Sequence, residues 1–240
     1  MKEKFIKPVS VHDVDEDQLA ALFRLFRNFY NEVDFDQFSS DFREKDGVFI
    51  MWSDDSLPMG FSTFRVDEFE LPSGTIRTIF SGDTIIDRDH WGNQILAFSW
   101  IREAGVIKGR TPFTPLYWFL IVKGHRTYRY LPVFSKCYYP CPDLATPTDI
   151  KKIMDHLATT HFGECYDPGT GIIRFPESKG HLKPTYAAIP KNHMEIPEVR
   201  FFLEQNPGYS EGDELVCMTE LTEDNLKPLA ARIFRKGMQK

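Results

Sequence analysis

The chain has no apolar run of about 18 residues, the length a helix needs to cross a bilayer. Its opening residues, MKEKFIKPVSVHDVDEDQ, also lack the apolar centre of a secretory signal. The expectation is a cytoplasmic protein with no membrane span. No segment is dense in lysine and arginine: 29 basic against 35 acidic residues give a net charge of −6, which argues against nucleic acid as a partner. Cysteine is scarce, with Cys137, Cys141, Cys165 and Cys217 scattered through the second half. Cys137 and Cys141 stand four apart without a matching second pair, so neither a disulfide framework nor a zinc site is expected, and no metal cofactor is implied. No internal repeat or low-complexity tract appears.

What is present is apolar and aromatic. With 42% hydrophobic residues and 21 phenylalanines, a chain of 240 residues can bury a full core. Leu19, Leu22, Phe23, Phe26, Phe29 and Tyr30 recur at spacings of three and four, which predicts an amphipathic helix beginning in the acidic stretch Asp13 to Asp17. A shorter helix is predicted over Phe35 to Glu44, with Phe35, Phe38 and Phe42 on one face. FIKPVSV before them reads as a short strand. Gly47–Trp52 and the alternating residues 60–66 then suggest a hairpin, and the turn Leu71-Pro72-Ser73-Gly74 leads into a third strand.

That third strand, with the turn and helix after it, spans residues 75–105 and holds the features that suggest a site. Gly82 lies mid-strand, where glycine weakens pairing and marks a bulge or a close backbone approach. Regular pleating places Ser81 and Asp83 on one face, and a bulge at Gly82 changes that locally. Asp83 is the first candidate base. A polar turn containing Trp91-Gly92-Asn93 then opens an amphipathic helix, predicted to stop near Gly105. Unpaired N–H groups at such a helix start stabilise an anion such as a pyrophosphate.

Leu116–Val122 is a continuous apolar run bounded by proline and glycine, read as a strand covered on both faces. A helix beginning near His125 and disturbed at Pro132 comes next. Cys137 lies in SKCYYPCPD with no base nearby in sequence and is read as a packing residue. Beyond it the pattern predicts a helix starting at Pro147-Thr148, a turn at 167–171, a strand at 171–175, an extended loop over 176–197, a short helix over 198–205, a strand at 214–220 and a final helix capped at 222–224.

The order helix, helix, three strands, loop, helix, strand, helix resembles the GNAT superfamily of acyl-CoA-dependent N-acyltransferases. The family's pyrophosphate loop has the form Arg/Gln-x-x-Gly-x-Gly/Ala. The matching segment here is Arg88-Asp89-His90-Trp91-Gly92-Asn93-Gln94, with Gly92 at one glycine position, Asn93 and Gln94 in place of compact residues, and Asp87 and Asp89 as acidic neighbours. The resemblance implies an α/β (α+β) fold with a mixed, mainly antiparallel central sheet flanked by helices. It implies one domain over 1–240, with a core at 5–140 and a C-terminal elaboration at 141–240 that supplies closing strands at 171–175 and 214–220. It also implies a transferase that moves an acyl group from acetyl-CoA, another acyl-CoA or an acyl carrier protein to a small-molecule amine by direct attack. The pantetheine arm of coenzyme A would pair with backbone at Ile85 and Ile86, and Arg88, Trp91, Gly92 and Asn93 would hold the pyrophosphate. Tyr128, with Tyr130 as a rival, matches the tyrosine that protonates the leaving thiolate, and Asp83 or His125 would be the base. The alternatives are a non-catalytic binding or interaction protein on the same fold, and a thioester-binding hydrolase or decarboxylase.

Overall fold

The computed structural model describes residues 5–240. After β1 (Val9–Ser10), Asp15 and Gln18 form a reciprocal cap, each side chain accepting from the other's backbone N–H, at 2.8 and 3.2 Å. That cap starts α1 (Glu16–Phe26), which buries Leu19, Leu22, Leu25 and Phe26. The helix ends earlier than its apolar spacing predicts, because Tyr30 leaves it to form β2 (Tyr30–Asn31). Asp34 caps α2 (Phe35–Arg43), and β3 (Gly47–Trp52), β4 (Pro58–Leu71) and β5 (Gly74–Ile86) come after it as expected. Next come α3 (Ile95–Arg110), β6 (Leu116–Val122), α4 (His125–Tyr128), α5 (Tyr130–Phe134) and α6 (Thr148–Phe162). The remaining elements are β7 (Tyr166–Asp167), β8 (Ile172–Ile173), β9 (His181–Leu182), α7 (Pro184–Ala187), α8 (Pro197–Gln205), β10 (Glu214–Glu220) and α9 (Pro228–Met238). The architecture is mixed α/β, with mostly antiparallel strands flanked by helices.

The described chain divides into two compact units, and the division differs from the expected core and elaboration. The first comprises residues 5–28, 34–118 and 220–240, so the last helix belongs with the N-terminal strands. Its strands run in the order β1-β3-β4-β5, each antiparallel to the next, followed by the first residues of β6. Two contacts show how helices cover both faces. The Phe38 ring of α2 meets Phe61 at 6.2 Å, while a side chain at Gly60 would meet Leu96 of α3 at 3.1 Å. Neighbouring strand residues point to opposite faces, so α2 and α3 lie on opposite sides of β4. Phe49, Phe61, Ile79, Leu96 and Ile101 fill this core, each contributing about 1.5–3 kcal/mol by burial.

Gly105 corrects the sequence reading. It does not stop α3, which continues to Arg110. A side chain there would lie 2.0 Å from the Phe234 carbonyl oxygen of α9, and one at Gly237 would lie 2.1 Å from the Arg102 carbonyl. These glycines let two helices approach backbone to backbone. The last helix also starts later than expected, at Pro228, because Thr222 closes a separate turn by accepting the Asn225 N–H at 3.1 Å.

The second unit holds residues 29–33 and 119–219. It contains the rest of β6, then β10, β8 and β7 in order, and the small β2–β9 pair. The expected strand at 171–175 is shortened to β8. The segment expected as an extended loop contains β9, α7 and a 3-10 turn at Lys191–His193. Buried Asn206 fastens two strand ends, its amide donating to the carbonyls of Asp213 at 2.8 Å and Val122 at 3.4 Å.

Candidate active site

The β4–β5 hairpin turns through Pro72-Ser73, and its register runs regularly from Leu71↔Gly74 to Phe64↔Ser81. There it slips, so that Ser62 faces Thr84. Gly82 and Asp83 together stand against the single residue Thr63, which is the bulge expected at Gly82. Asp83 therefore parts from Ser81 and joins the face of Thr63. A side chain at position 82 would lie 2.3 Å from the Thr63 hydroxyl and 2.9 Å from Cε of Lys45, so only glycine fits. On the other face Ser62 and Thr84 share a hydrogen bond of 2.8 Å, and Ser81 accepts from the Trp118 indole at 2.8 Å.

Past the bulge, Ile85 is buried and Ile86 is half-buried. The Asp87 N–H donates to the Met59 carbonyl at 2.8 Å, and a 3-10 turn spans Arg88–His90. The Asp87 carboxylate is turned onto the Asp89 N–H at 3.0 Å, and the Arg88 side chain is exposed. Trp91 donates its indole N–H to the Ile86 carbonyl at 2.9 Å. Gly92 adopts φ +90°, the left-handed region glycine occupies without strain, in open space. Asn93 accepts the Ile95 N–H at 3.0 Å. The first turn of α3 holds no acidic residue. The turn thus brings Ile85, Ile86, Arg88, Trp91, Gly92 and Asn93 to one strand-to-helix junction, at the positive end of a 16-residue helix. One of its carbonyls, that of Ile86, already accepts from Trp91.

His125 and Tyr128 belong to the second unit, on α4, which Gly124 precedes as N-cap. His125 is 1% exposed, with Nε2 3.5 Å from Nδ1 of His193 and the rings edge to face. Burial, and then the cations of Arg126 and Arg129 together with His193, lower its pKa to about 4. It is therefore neutral at pH 7 and shielded from solvent. Tyr128 is fully buried, its hydroxyl donating to the Pro140 carbonyl at 2.7 Å, among the rings of Tyr138, Phe201 and Phe202. Burial drives its ionisation far upward. The hydroxyl expected to act as the acid thus donates to a carbonyl of the protein itself. The rival Tyr130 is half-buried and stacks on Phe134 at 5.9 Å. Cys137, read as a packing residue, is instead exposed.

Sequence reasoning misses two residues of this region, Thr63 and Lys45. Thr63 is 1% exposed and its hydroxyl has no hydrogen-bond partner among the described residues. Lys45 is 4% exposed and donates to the Asp41 carbonyl and carboxylate at 2.8 and 2.9 Å. The signal for Thr63 exists, since the hairpin turn counts the register back to it. Lys45 carries none.

No family model matches the sequence, and no curated protein matches it. Among solved structures, a conserved protein of unknown function from Enterococcus faecalis V583, described as a probable N-acyltransferase, is similar at 9% identity and a TM-score of 0.39. That match covers 55% of this chain and 32% of the other, so this chain spans about a third of that protein's length. A tetramutant of the BH1408 protein from Bacillus halodurans is similar at 17% identity, covering 60% and 99%, with a TM-score of 0.36. The GNAT family N-acetyltransferase YhbS from Escherichia coli, in complex with CoA, is similar at 13% identity, covering 56% and 72%, with a TM-score of 0.35. Similarity at this level assigns neither activity nor substrate.

Proposed function

We propose that the protein is an acyltransferase that moves an acyl group from a thioester donor, acyl-CoA or an acyl carrier protein, to a small-molecule amine. The observation that carries this reading is the β5 bulge, which sets Asp83 on one face three residues before a strand end that turns into α3. In the proposed reaction the amine nitrogen attacks the thioester carbonyl. Asp83 accepts a proton from that nitrogen as the C–N bond forms. The C–S bond then breaks, and the sulfur leaves as a thiolate that is protonated from solvent. Backbone at Ile85 and Ile86 pairs with the donor's arm, and Arg88, Trp91, Gly92 and Asn93 hold its anionic end.

Calorimetry with acetyl-CoA and a long-chain acyl-CoA tests the reading, with saturable binding of at least one expected. Gly92→Val imposes a strained backbone without a clash and is expected to raise the KM for the donor about tenfold, the equivalent of one or two lost hydrogen bonds. An unchanged KM removes the turn from the site. One observation favours a non-catalytic binding protein instead: the Trp91 indole occupies the Ile86 carbonyl that a donor arm would use. Failure of every thioester to bind supports that alternative.

A further inference from the structure

The second unit carries two arginines on one helical turn. Arg126 lies in α4 and Arg129 is its helical C-cap, three residues on, a spacing that sets side chains about 5–6 Å apart at Cβ, where like charges repel. Both are half-buried, and the Arg126 guanidinium is fixed by donating to the Tyr186 carbonyl at 2.7 Å. Buried His125 belongs to the same turn. Its Nε2 meets Nδ1 of His193 at 3.5 Å, which brings the half-buried imidazole of the 191–193 turn to this helix.

The opposite charge is missing. Among the described residues the Arg129 side chain makes no hydrogen bond and no ion pair. Glu195, two residues past His193, is exposed and makes no ion pair there either. Glu198 belongs to α8, which packs on α4, but it acts on Tyr128 and Tyr138. After burial, the groups that act on His125 are Arg126, His193 and Arg129, and each opposes its protonation.

We propose that Arg126, Arg129 and His193 form a binding site for a phosphoryl group, carried by inorganic phosphate or by a phosphorylated small molecule. Two guanidinium charges match a phosphate, which carries about −1.5 to −2 at pH 7, better than they match one carboxylate. Guanidinium forks also bond phosphate oxygens in pairs. His125 is the positioning residue. Where its Nε2–H donates to His193 Nδ1, a neutral His193 keeps its own proton on Nε2 and offers that N–H to the ligand. The anion stabilises this arrangement and relieves the repulsion between the arginines.

Calorimetry of the full-length protein with inorganic phosphate tests the site, and saturable binding to the wild type is expected. Arg129→Gln is expected to raise the Kd about tenfold, the equivalent of one lost charge-assisted hydrogen bond. Arg129→Lys, which keeps the charge and loses the fork, is expected to fall between the two. In carbon-13 NMR of the wild type, the His193 ring signals, assigned by their absence in His193→Gln, are expected to move along the same saturation curve. Glycerol 3-phosphate separates the two sources: tighter binding than phosphate marks a phosphorylated small molecule, and equal or weaker binding marks phosphate itself. Failure of the wild type to bind either probe overturns the proposal, as does an Arg129→Gln Kd equal to that of the wild type. His193 signals that stay still while phosphate saturates the protein overturn it too, since binding then lies elsewhere. Loss of phosphate binding in Gly92→Val with Arg129→Gln unaffected would assign the anion to the donor turn.

Discussion

His125 shows how one residue's surroundings set its chemistry. A histidine that is buried and placed between two arginines and a second histidine holds its neutral form, with a pKa near 4 in place of the ordinary 6.5. Because the folded pKa is the lower one, the unfolded chain binds the extra proton first. The stability this neutral ring contributes is complete above about pH 6.5 and is lost as pH falls toward 4. The full difference is roughly 3 kcal/mol. We expect the Tm of the wild type to fall more steeply between pH 7 and 4 than that of His125→Gln, which cannot titrate. Parallel curves in a thermal denaturation series across that range would show that His125 has no such role. Little of this is legible in the sequence, where His125 reads as a group at a helix start. It meets His193, 68 residues away, and no local pattern encodes that contact. Asp83 is the opposite case, since Gly82 beside it announces the bulge that aims it.

At the scale of elements, local chemistry makes most boundaries readable. Asp15, Asp34 and the hairpin turn at Pro72-Ser73 each act through groups within a few residues, so their spacing is visible in one dimension. Gly105 misleads because the same residue type ends helices and admits close neighbours. The two uses predict different outcomes. Gly105→Ala places a methyl 2.0 Å from the Phe234 carbonyl, backbone that cannot rotate away, so α3 and α9 must separate. We expect a loss of about 1–3 kcal/mol, whereas a helix-ending glycine in open space would lose only the cost of a left-handed alanine. Urea denaturation measures the difference. A Gly105→Ala loss no larger than that of Gly92→Ala, whose position is open, would mean the helices do not touch there.

For the molecule as a whole, the decisive feature is that its last residues return to its first unit. Sequence order places everything after residue 140 in an elaboration, because adjacency along the chain is the default expectation for packing. The apolar spacing of Leu226, Leu229, Ala230, Ile233 and Phe234 is visible in the sequence. The helix buries Ala230, Ile233 and Phe234 of these together with Gly237, but the partner is not visible, since nothing in a single helix says which surface it covers. The structure pairs it with α3, the helix that carries the candidate donor turn at its start. The C-terminal helix thus packs on an element more than a hundred residues earlier in the chain. Removing residues 228–240 uncovers Gly105 and the buried face of α3, and the first unit is expected to lose its fixed packing. Trp100 and Trp118 lie in that unit with ring centres 4.5 Å apart, close enough for their indoles to couple optically. The truncated chain is therefore expected to lose the near-ultraviolet circular dichroism of this pair, and any binding of acetyl-CoA by the turn with it. A truncated protein that keeps both signals would show that α3 is held by the sheet alone.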